Sequence, residues 1–365
     1  MAKTAVLGSR PMLQQTSLTK WRPLAGLPHW LAGSMFLLGV LTAGCQQATP
    51  LPPAQPSTAT VQVIEPTNLE ALQALFKKQG YDWENLGNGV PPLIVTRFPE
   101  DLDHRLRPEE KKRTFLLSLL PMVLLANQAI EAERQEIEAL FFRHDHKGLL
   151  SAEERQCLED MVDYYKLQGD PLTDRRARAL LLHRVDVLPP SLVLAQAATE
   201  SGWGTSRFAR EGNNLFGQRT YRTGNGIVPA HRAEGDTHEV KRFGTLFESV
   251  RSYMRNLNTH NAYRDLRELR AKMRRSERPL NGAMLASGLD AYSTRSGDYI
   301  DDVRDIIRAN DLARTNQAFL RTTSPDTAPA FIPTVAELLA SRADAAEIPG
   351  RSRSPGLGTG NWQNR

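Results

Sequence analysis

The feature that most constrains this chain is a short apolar helix with one carboxylate near its end. Residues 189–204 read PPSLVLAQAATESGWG, and Pro190 suits the first turn of a helix. From Leu192 to Ala198, every residue except Gln196 is apolar or small. A helix without a polar face is buried on all sides. The fold must therefore be built around this segment.

Glu200 interrupts the apolar pattern in the last turn of the same helix. It shares a face with Gln196 and Ala197, and Gly202 follows as a helix stop. Desolvation, the negative end of the helix dipole and the lack of a basic residue one turn away each raise the pKa of such a carboxyl group. A carboxyl group that stays protonated near neutral pH can act as a general acid. We predict this role for Glu200; the alternative is a glutamate that only extends to solvent at the helix end.

Helix signals also extend over much of the chain before this segment. Asn68 is placed as an N-cap, and Ser151 with Glu154 forms a capping-box pattern. Residues 109–142 are a long run of helix formers, in which Pro121 should kink or split the helix.

One small β element is expected after the apolar helix. Hairpin arms are predicted at Leu215–Tyr221 and Val240–Phe243, with Gly224 and Gly226 in the connecting loop. The balance predicts a mainly α fold of the α+β class. The predicted regions are a signal peptide (1–44), a flexible tether (45–66), an N-terminal helical region (67–168), a catalytic domain (169–313) and a low-complexity, mostly disordered tail (314–365).

The charge distribution gives no reason to expect a nucleic-acid partner. The chain has 46 basic and 41 acidic residues, a formal net charge of +5. Four of the basic residues, Lys3, Arg10, Lys20 and Arg22, lie in the first 44 positions, which contain no acidic residue. The rest of the chain, with 42 basic against 41 acidic residues, is close to neutral.

The N-terminus resembles a bacterial lipoprotein signal. Basic residues up to Arg22 precede an apolar run from Trp30 to Thr42, which leads into LTAGC with Cys45 at its end. The run is shorter than the roughly 20 residues of a membrane-spanning helix. We predict a lipid anchor at Cys45 on the periplasmic side of the envelope, with the outer membrane favoured; the alternative is a single N-terminal anchor in the inner membrane. Cys157 is the other cysteine, so no C-x-x-C site exists, and neither a metal nor a cofactor is predicted.

Several separated motifs resemble one enzyme family. ATESGWGTSRFAREGNNLFG, residues 198–217, is similar to the catalytic-helix motif of the bacterial peptidoglycan-hydrolysing glucosaminidase family. VKRFGTLFESVRSYMRNLNTHNAYRDLR and LDAYSTRSGDYIDDVRDII fit the same family in the same order, and the wider chain looks most like its Bax-type members. The resemblance implies a lysozyme-like fold, with helical lobes and a small β-hairpin lobe. It also implies cleavage of β-1,4 bonds on the N-acetylglucosamine side of the glycan.

The resemblance also implies roles for individual residues. Glu200 matches the family's general acid, and Tyr292 and Tyr299 match the two tyrosines of a Y-A-T-D-type motif, which reads YSTRSGDY here. The W-G pair and the N-N-L-F-G turn border the same cleft in this family. The candidate substrate-binding residues are Trp203, Asn213, Asn214, Phe216 and Tyr299.

The motifs do not identify the second carboxylate. Glu234, Asp236 and Glu239 lie in the hairpin loop or its second arm, and Glu239 is slightly preferred because it opens a strand. An inverting mechanism needs one of them to activate water. A substrate-assisted route through the sugar's acetamido group needs no such residue, and Tyr292 would then orient that group or stabilise the charge on the sugar.

The predicted function is a membrane-tethered endo-β-N-acetylglucosaminidase that acts on peptidoglycan glycan strands. A lytic transglycosylase or muramidase shares the fold and a Glu-Ser pair, but such chains usually continue into a G-L-M-Q-like stretch where this one has NNLFG. A non-catalytic cell-wall-binding scaffold lipoprotein is the third alternative.

Overall fold

The computed structural model describes residues 61–102, 107–224, 226–230, 232, 237–290, 292 and 296–322. The predicted signal segment, Cys45, most of the predicted tether, Glu234 and Asp236 lie outside these ranges. All described residues belong to one compact unit.

Helices make up most of the described ranges. The α-helices are α1 (Leu69–Lys78), α2 (Pro108–Lys147), α3 (Ala152–Tyr164), α4 (Arg175–Arg184), α5 (Pro190–Ser201), α6 (Arg207–Gly212), α7 (Leu246–Thr259), α8 (Arg264–Arg275), α9 (Gly282–Leu285) and α10 (Ser296–Ala309). Short 3₁₀ turns lie at Leu86–Asn88, Glu100–Leu102, Asn261–Tyr263, Ala286–Gly288 and Leu312–Gln317.

Two helix starts follow the predicted capping chemistry. The side chain of Asn68 accepts a hydrogen bond from the N–H of Ala71 at 2.8 Å. Ser151 Oγ accepts from the N–H of Glu154 at 3.2 Å, and the Glu154 carboxylate accepts from the N–H of Ser151 at 2.9 Å. These side chains satisfy backbone donors that have no partner inside the helix. Both predicted caps are confirmed.

The predicted split at Pro121 does not occur, and the predicted kink stays a prediction. Helix α2 runs through this proline as one 40-residue helix. Proline removes one backbone hydrogen bond, but the stretch from Thr114 to Val123 is buried throughout, so tertiary packing holds the helix together. Among the described helices, α2 has the length and apolar content to cross a membrane, yet 72% of its most apolar window is buried inside the protein.

Helix α5 lies at the centre of the fold, as its sequence predicts. Its residues from Pro190 to Ala198 are all buried. Helices α2, α9 and α10 and the 3₁₀ turn Leu312–Gln317 pack around it. Gly282 in α9 permits one of these contacts, because a Cβ there would overlap Ser191 Oγ and lie 2.8 Å from the Leu192 backbone nitrogen.

The predicted hairpin is a three-stranded antiparallel sheet. Strands β3 (Arg219–Thr220), β4 (Gly226–Ile227) and β5 (Glu239–Lys241) lie in the order β3-β5-β4. The arms are shorter than predicted, and Gly226, expected in the loop, pairs opposite Lys241. The mainly α, α+β fold class is confirmed.

The folded unit extends past both predicted boundaries. Strand β1 (Gln62–Ile64) lies within the predicted tether and pairs in parallel with strand β2 (Leu93–Val95). At the other end, Leu320 forms a bridge with Val90, and the Arg321 guanidinium donates to the carbonyls of the 88–89 turn. These long-range contacts tie residues 320–321, which lie past the predicted boundary at 313, to the N-terminal helical region. A sequence pattern does not reveal such pairs.

Candidate active site

Glu200 lies at the end of α5, beside an unusually tight turn. Gly202, Trp203 and Gly204 have φ angles of 56°, 60° and 82°. The N–H groups of Gly202 and Trp203 both donate to the carbonyl of Ala198, which closes the helix end. A positive φ is costly for a tryptophan, so the surrounding structure must hold this conformation.

Contacts of Trp203 and Gly204, the W-G pair of the motif, hold the turn against α2. A Cβ on Gly204 would lie 2.7 Å from the Phe98 ring and 3.2 Å from the Phe115 ring, so no larger residue fits. The Trp203 ring meets the Phe115 ring edge-to-face, with centroids 5.6 Å apart, and Lys112 Nζ lies 5.5 Å from the Trp203 ring centroid. Trp203 is only partly buried. Part of its surface therefore stays accessible beside Glu200, and sugar binding by this ring remains a prediction.

The carboxyl group of Glu200 is half-buried, and its environment acts on its pKa in two opposite directions. Desolvation by burial raises the pKa of Glu200 above its usual value. A hydrogen bond from the Tyr299 hydroxyl opposes this change and lowers the pKa. Desolvation is the larger effect, so the net direction is upward, as the sequence predicts.

Three tyrosines from separate parts of the chain surround this carboxylate. The rings of Tyr292 and Tyr299 are stacked, with centroids 5.2 Å apart and an interplanar angle of 11°, and Tyr263 lies 6.1 Å from Tyr292. Burial, followed by negative charge on Glu200, raises the pKa of each of these tyrosines. The Tyr292 hydroxyl donates to the carbonyl of Phe216 at 3.2 Å.

Two buried residues behind Tyr299 were not identified from the sequence as site residues. Gln196 donates from Nε2 to the Tyr299 hydroxyl at 2.9 Å, and its Oε1 accepts from the Tyr253 hydroxyl. The Tyr253 ring stacks on Phe216, with centroids 3.8 Å apart. A signal for Gln196 was present, since it is the one polar residue in the apolar stretch and shares a face with Glu200. Nothing local distinguishes Tyr253 from other core aromatics.

The two asparagines of the NNLFG turn (residues 213–217) hold the backbone of the turn with their side chains. Asn213 donates from Nδ2 to the carbonyl of Phe243 at 3.1 Å. Asn214 is buried, donates to the carbonyl of Lys241 at 2.8 Å and accepts from the N–H of Gln218 at 3.0 Å. These bonds position the turn that presents the Phe216 carbonyl to Tyr292. Substrate binding by either asparagine remains a prediction.

Glu239 holds the loop between β3 and β4. Only 4% of it is exposed, and its carboxylate accepts from the N–H of Gly224 at 3.0 and 3.1 Å and from the N–H of Gly226 at 2.8 Å. Both carboxylate oxygens are therefore engaged by backbone donors. This geometry favours a structural role, and the catalytic assignment of Glu239 stays a prediction. No group of three or more His, Cys, Asp or Glu side chains that could hold a metal occurs within the described ranges.

Three comparisons relate this chain to known proteins. The family described as mannosyl-glycoprotein endo-beta-N-acetylglucosaminidase matches residues 177–312. This range includes every residue of the site described above except Phe98, Lys112 and Phe115, which contact the turn after α5. The chain is 35% identical over 189 residues to Protein bax of Escherichia coli (strain K12); the match covers 52% of this chain and 66% of that protein, just under two thirds of its length. The catalytic domain of the autolysin Auto from Listeria monocytogenes is 15% identical, with a TM-score of 0.32 over 59% of this chain and 93% of that one.

Proposed function

We propose that this protein is a peptidoglycan hydrolase that cleaves β-1,4 bonds at N-acetylglucosamine. The match of residues 177–312 to the glucosaminidase family supports this proposal. Glu200 is the general acid in this proposal. The observation that carries it is the position of this residue: a half-buried carboxyl group with a raised pKa, at the hydrogen-bonded end of α5 and surrounded by tyrosines.

The chemistry requires a proton on the leaving oxygen as the glycosidic bond breaks. A carboxyl group with a raised pKa retains that proton closer to neutral pH than an exposed glutamate does. As the bond between the anomeric carbon and the leaving oxygen breaks, Glu200 gives its proton to that oxygen. Water then supplies the hydroxyl group on the anomeric carbon and returns a proton to Glu200.

We propose a substrate-assisted route for the second step. The acetamido oxygen of the sugar bonds to the anomeric carbon as the leaving group departs, and water opens the resulting ring. Glu239 supports this choice, because its two oxygens already accept backbone hydrogen bonds. An inverting route would have to use Glu234 or Asp236, or release Glu239 from the loop.

The membrane location rests on sequence features. The LTAGC ending at Cys45 and the Pro- and Thr-rich stretch after it support a lipid anchor that lets the catalytic domain reach the glycan. We propose attachment at the periplasmic side of the envelope, in the outer membrane.

Digestion of purified sacculi tests the proposed activity. The products are reduced with borohydride, and the sugar at each new reducing end is identified by mass spectrometry. Reduced N-acetylglucosamine ends are expected. Reduced muramic acid ends would instead show a muramidase, anhydro-muramic acid ends would show a lytic transglycosylase, and sedimenting with sacculi without releasing products would show a binding scaffold.

A further inference from the structure

A chain of hydrogen bonds runs from the core to Glu200. Tyr253 donates to Gln196, and Gln196 donates to Tyr299. The Tyr299 hydroxyl in turn interacts with the Glu200 carboxyl group, and each of the two groups affects the pKa of the other. The three supporting side chains come from α7, α5 and α10. Gln196 is fully buried, and Tyr253 and Tyr299 are also buried.

The Tyr253 end of this hydrogen-bond series is buried, and it fixes which group donates in each bond. The Tyr253 hydroxyl has no other hydrogen-bond partner among the described residues than Gln196 Oε1. If the Gln196 amide were flipped, its NH₂ group would face this hydroxyl, and the Tyr253 proton would be buried without an acceptor. An unsatisfied buried donor is costly. Gln196 Nε2 must therefore point towards Tyr299.

The fixed amide in turn fixes the hydroxyl of Tyr299. Gln196 Nε2 donates to the Tyr299 oxygen, so the Tyr299 proton must point elsewhere, and its partner is Glu200. One carboxyl oxygen of Glu200 accepts the Tyr299 proton, so protonating that same oxygen would break this hydrogen bond. The proton of neutral Glu200 is therefore on the other carboxyl oxygen.

We propose that Gln196 and Tyr253 are positioning residues, which hold the Tyr299 hydroxyl as a permanent donor to one oxygen of Glu200 and so keep the acid's proton on the other. This inference rests on the proposed role of Glu200. It adds two residues, neither of which touches the sugar, that set how the acid is protonated.

Other titratable groups near Glu200 must be considered before any change in titration is interpreted. Besides Tyr299, these are Tyr253 from α7, Tyr263 from the 3₁₀ turn after it and Tyr292 from the segment before α10. Burial raises the pKa of each well above neutrality, and negative charge on Glu200 adds to this. They stay protonated over the pH range in which Glu200 titrates, so a change there reports on Glu200.

The test is a direct titration of Glu200 in the full-length protein. Glutamate is labelled with ¹³C at the carboxyl group, and the resonance absent from Glu200→Gln is followed against pH by NMR. Loss of a hydrogen bond to the charged form raises a pKa. The midpoint is expected to rise by roughly one pH unit in Tyr299→Phe. It should rise by roughly half a unit in Tyr253→Phe and in Gln196→Leu, since a released Tyr299 hydroxyl donates to Glu200 only part of the time.

Tyr165→Phe is the matched control. This tyrosine is equally buried and donates to a carboxylate, Glu133, which lies outside the site. The Glu200 midpoint should not change in this variant. A rise in Tyr299→Phe alone, with none in Tyr253→Phe or Gln196→Leu, overturns the proposal, and so does an equal rise in the control.

The basic limb of the pH dependence of kcat/KM provides a second readout. It should move upward in the same order as the NMR midpoints, whereas a purely structural defect would lower the rate without moving the limb. The two proposals fail in different ways. Full activity of Glu200→Gln refutes the assignment of the general acid, while the NMR titration still measures whether the hydrogen-bond chain controls Glu200.

Discussion

Replacing Glu239 by glutamine separates a structural role from a catalytic one. The two side chains have the same shape, but glutamine has no charge, and only one of its two terminal groups accepts hydrogen bonds. The carboxylate receives N–H donors from Gly224 and Gly226 at 2.8 to 3.1 Å. In the variant, the NH₂ group must face at least one of these backbone donors.

The size of the effect follows from these bonds. A hydrogen bond to a charged group contributes about 1.5 to 3 kcal/mol. The amide oxygen of glutamine can take the place of Oε2, which accepts from both donors, so the variant loses the bond at Oε1 and the charge on the others. The expected loss in the free energy of unfolding is therefore about 1.5 to 3 kcal/mol. For a chain of this size, that lowers Tm by roughly 3 to 9 °C. Catalytic activity well below Tm should fall much less than it does on loss of a catalytic group.

Gly226→Ala is a matched variant at the end of the same loop. A Cβ on Gly226 would lie 2.5 Å from the Val240 carbonyl oxygen and 2.7 Å from the Glu239 Cβ, so this substitution disturbs the loop while residue 239 keeps its carboxyl group. Differential scanning fluorimetry and initial rates on sacculi are measured for both variants. Similar losses of Tm with modest losses of rate support the structural role. A Glu239→Gln protein with unchanged Tm and almost no activity would refute this reasoning and identify Glu239 as the catalytic base.

The remaining predictions concern the acid, its neighbour and the anchor. Glu200→Gln should lower the hydrolysis rate by a factor on the order of 10² or more, and retention of most activity contradicts the assignment. Since the pKa of Glu200 is raised, its contribution to stability is present at low pH and lost as pH rises through that pKa; the Tm of Glu200→Gln near neutral pH should therefore match or exceed that of the wild type. Wild-type kcat/KM should fall over the same rise in pH, because the acid must be protonated, and a pH–rate profile measures this. Tyr292→Phe should lower the rate ten- to a hundredfold, about 1.5 to 3 kcal/mol, if this hydroxyl stabilises charge on the sugar, and a near-wild-type initial rate excludes that role. Cys45→Ala should release the protein from membranes or leave it unprocessed, and unchanged mass and fractionation would count against lipidation.

The parts of the fold that could be predicted from the sequence are those governed by local chemistry. The N-caps at Asn68 and Ser151 depend on side chains within three residues of their partners. The central position of α5 follows from its lack of a polar face. Glu200 could be identified because desolvation and the helix end act on it within a single turn.

The parts that could not be predicted depend on distant partners. Pro121 is tolerated because buried side chains around it hold α2 together, which local helix propensity does not describe. Arg321 holds the segment 314–322 against acceptors that lie more than 230 positions earlier. The hydrogen-bond chain to Glu200 likewise needs three helices to meet, and no spacing within one segment indicates that Tyr253 is part of it.

The NNLFG turn shows why motifs far apart in the sequence act as one site. Phe216 stacks with its ring on Tyr253, which orients Gln196, and accepts with its carbonyl from the hydroxyl of Tyr292. Phe216 therefore contacts two tyrosines near Glu200. Tyr253 belongs to the buried hydrogen-bond series, and Tyr292 belongs to the stacked pair with Tyr299. The asparagines hold the turn's backbone so that both contacts form at once. The turn thus positions the tyrosines around Glu200, the proposed general acid.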